Sequence, residues 1–172
     1  MGVSRRSFLG GAALAAAGFA AKDSGAASGG KSGRVKFCVF ADIHYTPGTF
    51  PNSTKEWLGR IIDHAKAEKC DFIIHCGDFM SAPARYPDYV DFYNNCGLPA
   101  YHVIGNHDVW TGFTGMTPRR RESIDEWVKN CGTNTYYSFV YKGCHFVCLD
   151  SMDGRDGRLP VQGISDEQYA WA

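Results

Sequence analysis

The chain has 172 residues, with 18 basic and 18 acidic side chains and no formal net charge. A hydrophobic fraction of 44% suits one globular domain and argues against bulk disorder. Neutrality argues against general nucleic-acid binding, which needs a basic face, and no apolar run reaches the ~20 residues of a stable membrane span.

Residues 1–33 differ from the rest and read as an export signal followed by a flexible linker. Ser4-Arg5-Arg6-Ser7-Phe8-Leu9 precedes a mild apolar run over 10–21, with small residues beyond it. The paired arginines resemble the twin-arginine type. That resemblance implies export, to a periplasmic or extracellular location, with the twin-arginine export machinery as partner. Ala20, Ala26 and Ala27 all offer small residues near a cleavage point. The alternatives are a basic N-terminal tail and a cytoplasmic protein.

The remaining 34–172 read as one domain. Residues 34–41 form a short apolar run rich in strand formers, ending at Asp42. A turn at Thr46-Pro47-Gly48 follows. Ser53-Thr54-Lys55-Glu56 has the capping-box pattern that opens a helix. Trp57, Leu58, Ile61, Ile62 and Ala65 continue it at helical spacing to about Lys69. A second strand over 71–76 stops at Gly77-Asp78. Pro87 opens a short helix carrying Tyr89, Val90, Phe92 and Tyr93, closed by Gly97. A third strand over 100–104 stops at Gly105-Asn106-His107-Asp108. Strands and helices alternating in this way predict βαβ units and a parallel sheet.

Thr117 caps and Pro118 starts a helix to about Cys131, with Ile124, Trp127 and Val128 on its inner face. The pattern then changes. Strands over 136–141 and 144–149 flank Lys142-Gly143, which predicts an antiparallel hairpin. Ser165-Asp166-Glu167-Gln168 is a second capping box and opens a last helix.

Seven cysteines cannot all pair within one chain. Cys38, Cys76 and Cys148 sit in apolar runs and read as small core residues. Cys70, Cys96, Cys131 and Cys144 lie near turns and are the candidates for pairing. No Cys-x-x-Cys occurs, which disfavours a zinc knuckle.

The chemistry lies in three polar clusters, Asp42-Ile43-His44, Gly77-Asp78 and Gly105-Asn106-His107-Asp108. Each follows a predicted strand, and ligands of open α/β sheets bind at the carboxyl ends of strands. Carboxylate, imidazole and amide donors together suit Mn, Fe or Zn. A carboxylate such as Asp78 has two oxygens and can bridge two metals ~3.5–4 Å apart, an arrangement suited to displacement at phosphorus.

These three motifs, in this order, resemble the calcineurin-like metallophosphoesterases. The resemblance runs from about Val35 to the end and includes Cys148-Leu149-Asp150-Ser151 and Gln168-Tyr169-Ala170-Trp171. It implies an α/β fold, the N-terminal part of a β-sandwich flanked by helices. It also implies hydrolysis of phosphate mono- or diesters by a metal-bound hydroxide. Asp42 and His44 would bind the first of two divalent or trivalent ions. Asp78 would bridge them, and Asn106 would bind the second. His107 would face the phosphoester substrate and stabilise the transition state, and Asp108 would orient the His107 ring.

The chain also departs from the family pattern. The family supplies a later lone His and a later His-x-His in Gly-His contexts. None of His44, His64, His75, His102, His107 and His145 matches either. The expectation is therefore a domain truncated at its C-terminus, lacking later histidine ligands and leaving sheet edges exposed. Ser81 stands where purple acid phosphatases carry a ligand tyrosine, which disfavours that subgroup. The alternative function is a non-catalytic protein that binds metal or phosphate weakly. His75 and His102 read as structural histidines, His64 as solvent-facing, Arg119-Arg120-Arg121 as a solvated face, and the Tyr86/Tyr89/Phe92/Tyr93 cluster as packing.

Overall fold

The computed structural model describes residues 33–45, 51–79, 87–109, 118–153 and 163–172. Residues 1–32, where an export signal is expected, the expected Thr46-Pro47-Gly48 turn, Ser81, Tyr86 and Thr117 lie outside the described residues, as do the side chains of Ser53 and Arg119-Arg120-Arg121. Among the described residues, no helix is long and apolar enough to cross a membrane.

Among the described residues, five strands and five helices occur in the order β1 (Phe37–Phe40), α1 (Pro51–Ala67), β2 (Phe72–Cys76), α2 (Pro87–Asn94), β3 (Ala100–Val103), α3 (Asn106–Val109), α4 (Pro118–Cys131), β4 (Tyr137–Tyr141), β5 (Cys144–Cys148) and α5 (Asp166–Trp171). Strands β1, β2 and β3 form a parallel sheet in that order. Strands β4 and β5 pair antiparallel, Tyr137 opposite Cys148 and Tyr141 opposite Cys144. The α/β class and the parallel sheet with a following hairpin are as the sequence predicts.

Alternation along β2 divides the core into two layers. Ile73 packs with the helices, against Leu58, Ile62 and Ala65 of α1, Tyr89, Val90 and Tyr93 of α2, and Trp127 of α4. Phe72 and Ile74 face the other way, onto Cys148 and the inward rings of the hairpin. Phe72 is fully buried at the centre of that second layer. Its ring stacks on Phe37 at 4.8 Å and meets Tyr101, Phe139, Tyr141 and Phe146 edge-on at 5.2–5.6 Å. Tyr101 of β3 stacks on Phe139 of β4 at 3.7 Å. Such rings bury large apolar areas and hold the hairpin against the sheet. Edge strand β1 leaves Phe37 and Val39 exposed.

Local chemistry explains the element ends. The two-residue hairpin turn has both Lys142 and Gly143 at positive φ, as its twist requires. The Ser165 hydroxyl accepts from the Gln168 N–H and caps α5. Helix α1 starts at Pro51, two residues before the expected cap, because proline suits a first helical turn. Strand β3 ends at Val103, one residue before the expected end, and residues 106–109 form a short helical turn.

The candidate cysteines do not pair, and one expectation about cysteine is corrected. All seven are free, so no candidate pair is bridged. Cys76 is exposed rather than a core residue, because it is the last residue of β2 and its side borders an open cleft. Cys70, Cys96 and Cys131 are the buried ones among those expected near turns.

Candidate metal centre

The loop after β1 continues to run beside the loop after β2. The Asp42 N–H donates to the Gly77 carbonyl at 3.2 Å, His44 N–H to the Asp78 carbonyl at 2.9 Å, and Tyr45 N–H to the Phe79 carbonyl at 3.0 Å. This ladder sets the Asp-x-His motif alongside Gly-Asp. Asp42, His44 and Asp78 all have positive φ, at 59°, 51° and 54°. Side chains rarely adopt that region, and each such residue costs about 1–3 kcal/mol; such strain clusters at functional sites.

The third motif closes onto the second. A side chain at Gly105 would fall on the Asp78 N and Oδ1 atoms, and one at Gly77 would meet the Gly105 Cα at 2.9 Å. Only glycine allows the two loops to approach this closely. The approach lets the His107 N–H donate to Asp78 Oδ1 at 2.9 Å. Asp108 is fully buried beneath. Its Oδ2 accepts from the Asp78 N–H at 3.0 Å and the Gly105 N–H at 2.8 Å.

Ligand atoms of His44, Asp78 and His107 consequently lie within 4.8 Å of one another. His44 Nε2 is 3.8 Å from Asp78 Oδ2 and 3.6 Å from Asp42 Oδ1. Asp78 is the most enclosed of these, with 16% of its side chain exposed against 37% for His44 and 71% for Asp42. The His44 and His107 rings meet edge-on at 4.6 Å. At this separation His44 and Asp78 could hold a first-row divalent ion, whose bonds to such donors are ~2.0–2.2 Å, with the His107 ring beside it. Asp42, Asp78 and Asn106 also line one cleft of about 330 Å³, bordered by Cys76, Ser151, Met152 and Gly163. Asn106 opens α3 at that cleft.

A family model for calcineurin-like phosphoesterases matches residues 35–167. The chain belongs to the calcineurin-like phosphoesterase family. Among solved structures it is similar to a dimetal phosphatase from Danio rerio, at 18% identity and a TM-score of 0.49. The match covers 80% of this chain and 50% of that one, so this chain spans about half the length of that phosphatase. No curated protein matches it.

Sequence reasoning missed how the family motifs are held. His75 and His102 are both buried, at 1% and 2% exposure. His75 Nε2 and His102 Nδ1 are 2.8 Å apart, and His102 Nε2 is 2.6 Å from Asn94 Oδ1. Burial pushes both imidazoles down, His75 well below its ordinary range and His102 to about 3. Gln168 is also fully buried. Its amide accepts from the Asp150 N–H and donates to the Asp150 carbonyl and to Asp153, so α5 grips the chain leading to Ser151 and Met152. Of the remaining histidines, His64 and His145 are exposed.

Proposed function

We propose that this protein is an exported, metal-dependent hydrolase of phosphate mono- or diesters. One observation carries the reading: three strand ends bring His44, Asp78 and His107 to within 4.8 Å in a family whose members are phosphoesterases. The twin-arginine-like Ser4-Arg5-Arg6-Ser7-Phe8-Leu9 supports export.

In this reading Asp42 and His44 would hold one ion, Asp78 would be shared with a second, and Asn106 would offer its amide oxygen to that second ion. Bound ions of this kind lower the pKa of water and withdraw charge from phosphoryl oxygens. The chain's own residues do the rest. The His107 N–H fixes Asp78 Oδ1, which turns Oδ2 toward His44. The His107 imidazole lies beside the His44 ring, where it would stabilise negative charge on the phosphoryl group and give a proton to the leaving oxygen. Asp108 holds Gly105 and Asp78 in register, so the ligands are set before substrate arrives.

The test is metal content together with hydrolysis of a chromogenic phosphodiester. Manganese-dependent turnover, lost in Asp78→Asn and His107→Gln, is expected. Metal uptake without turnover would favour the non-catalytic binder, and turnover unchanged in both variants would sink the site assignment.

A further inference from the structure

We infer that Asn94, His102 and His75 form a positioning chain that aims the Asp78 carboxylate. The inference rests on the metal-site reading above. Its evidence is geometric. Asn94 ends α2, His102 lies in β3, and His75 lies opposite it in β2. The contacts run without a break from Asn94 Oδ1 to His102 Nε2 at 2.6 Å, from His102 Nδ1 to His75 Nε2 at 2.8 Å, and from His75 Nδ1 to the Gly77 N–H at 3.3 Å.

The far end fixes the direction of every bond. A backbone N–H only donates, so His75 Nδ1 accepts from Gly77. A neutral His75 then carries its proton on Nε2 and donates to His102 Nδ1. His102 in turn carries its proton on Nε2 and donates to the Asn94 amide oxygen. Three independent contacts thus agree on one tautomer for each ring. A proton added to either ring would set two N–H groups face to face, so the geometry requires both rings to be neutral. Their burial favours the same state.

The chain ends on the residue that determines where Asp78 points. Gly77 has φ 92° and lies so close to Gly105 that a side chain would meet the Gly105 Cα at 2.9 Å. Its carbonyl is held by the Asp42 N–H and its N–H by His75. Asp78 is held likewise, its N–H by Asp108 and its carbonyl by the His44 N–H. All four backbone polar groups of the Gly-Asp turn are therefore engaged. The His75 contact is the one that ties the turn to the helical layer of the core. Its loss would let the turn rotate while leaving every proposed ligand present. Residues that orient metal ligands without touching the metal typically contribute about 10–100-fold in metal affinity.

Two substitutions at His75 separate positioning from mere core filling. His75→Asn keeps an oxygen acceptor near the Nδ1 position and loses the bond to His102. His75→Gln keeps a donor near the Nε2 position and loses the acceptor for Gly77. Both remove buried contacts, so both should lower the melting temperature of the metal-free protein. Calorimetric titration with Mn²⁺ should divide them: His75→Gln binds about 10–100-fold more weakly, while His75→Asn stays close to wild type. Equal weakening in the two variants, or none in either, overturns the inference. Wild-type protein that takes up no Mn²⁺ overturns the metal-site reading itself, and this inference with it. If neither variant folds, nitrogen-resolved NMR of the wild-type histidines decides. Both rings should be neutral with the proton on Nε2, and a proton on Nδ1 of either ring overturns the chain.

Discussion

Replacing Asp108 distinguishes two roles for one carboxylate. The family resemblance assigns it to the His107 ring, whereas its Oδ2 accepts from the backbone N–H groups of Asp78 and Gly105 at 3.0 and 2.8 Å. Asp108 is fully buried. Asp108→Ala would strip both donors of a charged acceptor that is itself fully buried. Each buried donor left unsatisfied costs about 1–3 kcal/mol, so the two together cost about 4 kcal/mol. Asp108→Asn keeps one acceptor oxygen and loses the charge, and bonds of that kind are about half as strong. Its cost should be about 2 kcal/mol. Urea unfolding of the metal-free protein measures both, with an unchanged slope showing that stability alone has moved. Mn²⁺ affinity should fall in the same order, because Gly105 and Asp78 separate as the tie is lost. Asp108→Ala whose metal-free stability lies within about 1 kcal/mol of wild type, but whose hydrolysis in Mn²⁺ is abolished, would refute this reasoning. The carboxylate would then act through the His107 ring alone.

Gly105→Ala drives a methyl group onto Asp78 N and Oδ1, and should cost about 1–3 kcal/mol in denaturant unfolding as well as Mn²⁺ affinity by calorimetry. Gly143→Ala meets nothing within 4 Å and serves as the control, with a backbone cost of about 1 kcal/mol and unchanged Mn²⁺ binding. His102 has a pKa of about 3 in the folded protein against an ordinary 6.5, so the unfolded chain binds the extra proton first. Its stability is therefore complete above pH 6.5 and declines as pH falls toward 3; from pH 7 to pH 5 the loss should be about 2 kcal/mol, with His75 adding in the same direction. A midpoint of denaturation that does not move between those pH values would contradict it. Gln168→Leu orphans the Asp150 N–H and carbonyl, should cost about 2–4 kcal/mol, and should expose the chain around Ser151 and Met152 to limited proteolysis.

Elements governed by local chemistry were legible in the sequence. Ser165 caps α5 through the Gln168 N–H, and Lys142-Gly143 turns the hairpin, because each signal acts within four residues. The three motifs were legible for a related reason: strand ends bounded by Gly, Asn and Asp announce where a sheet presents polar groups. The helical turn at residues 106–109 was not legible. It depends on Asp108 reaching back to the Gly105 N–H and across to Asp78, thirty residues away in sequence. The role of Gln168 was hidden in the same way. Its capping position is local, but its amide is spent on Asp150, eighteen residues back.

The histidine chain was the least legible, and the reason lies in strand register. His75 and His102 each look like an ordinary strand residue. They become partners because β2 and β3 pair in parallel with His75 opposite His102 and Cys76 opposite Val103. A slip of one residue would send His75 to the hairpin side and bring Ile74 into the helical layer, since side chains alternate between faces. The cost would be a charged or unsatisfied imidazole among the hairpin rings, and a hydrophobic residue facing Asn94. The same slip would carry Gly77-Asp78 away from Gly105 and remove the His107 N–H from Asp78 Oδ1. The buried pair and the candidate metal centre therefore depend on one register. The imidazole bonds within the sheet penalise the misalignment that would also take the site apart.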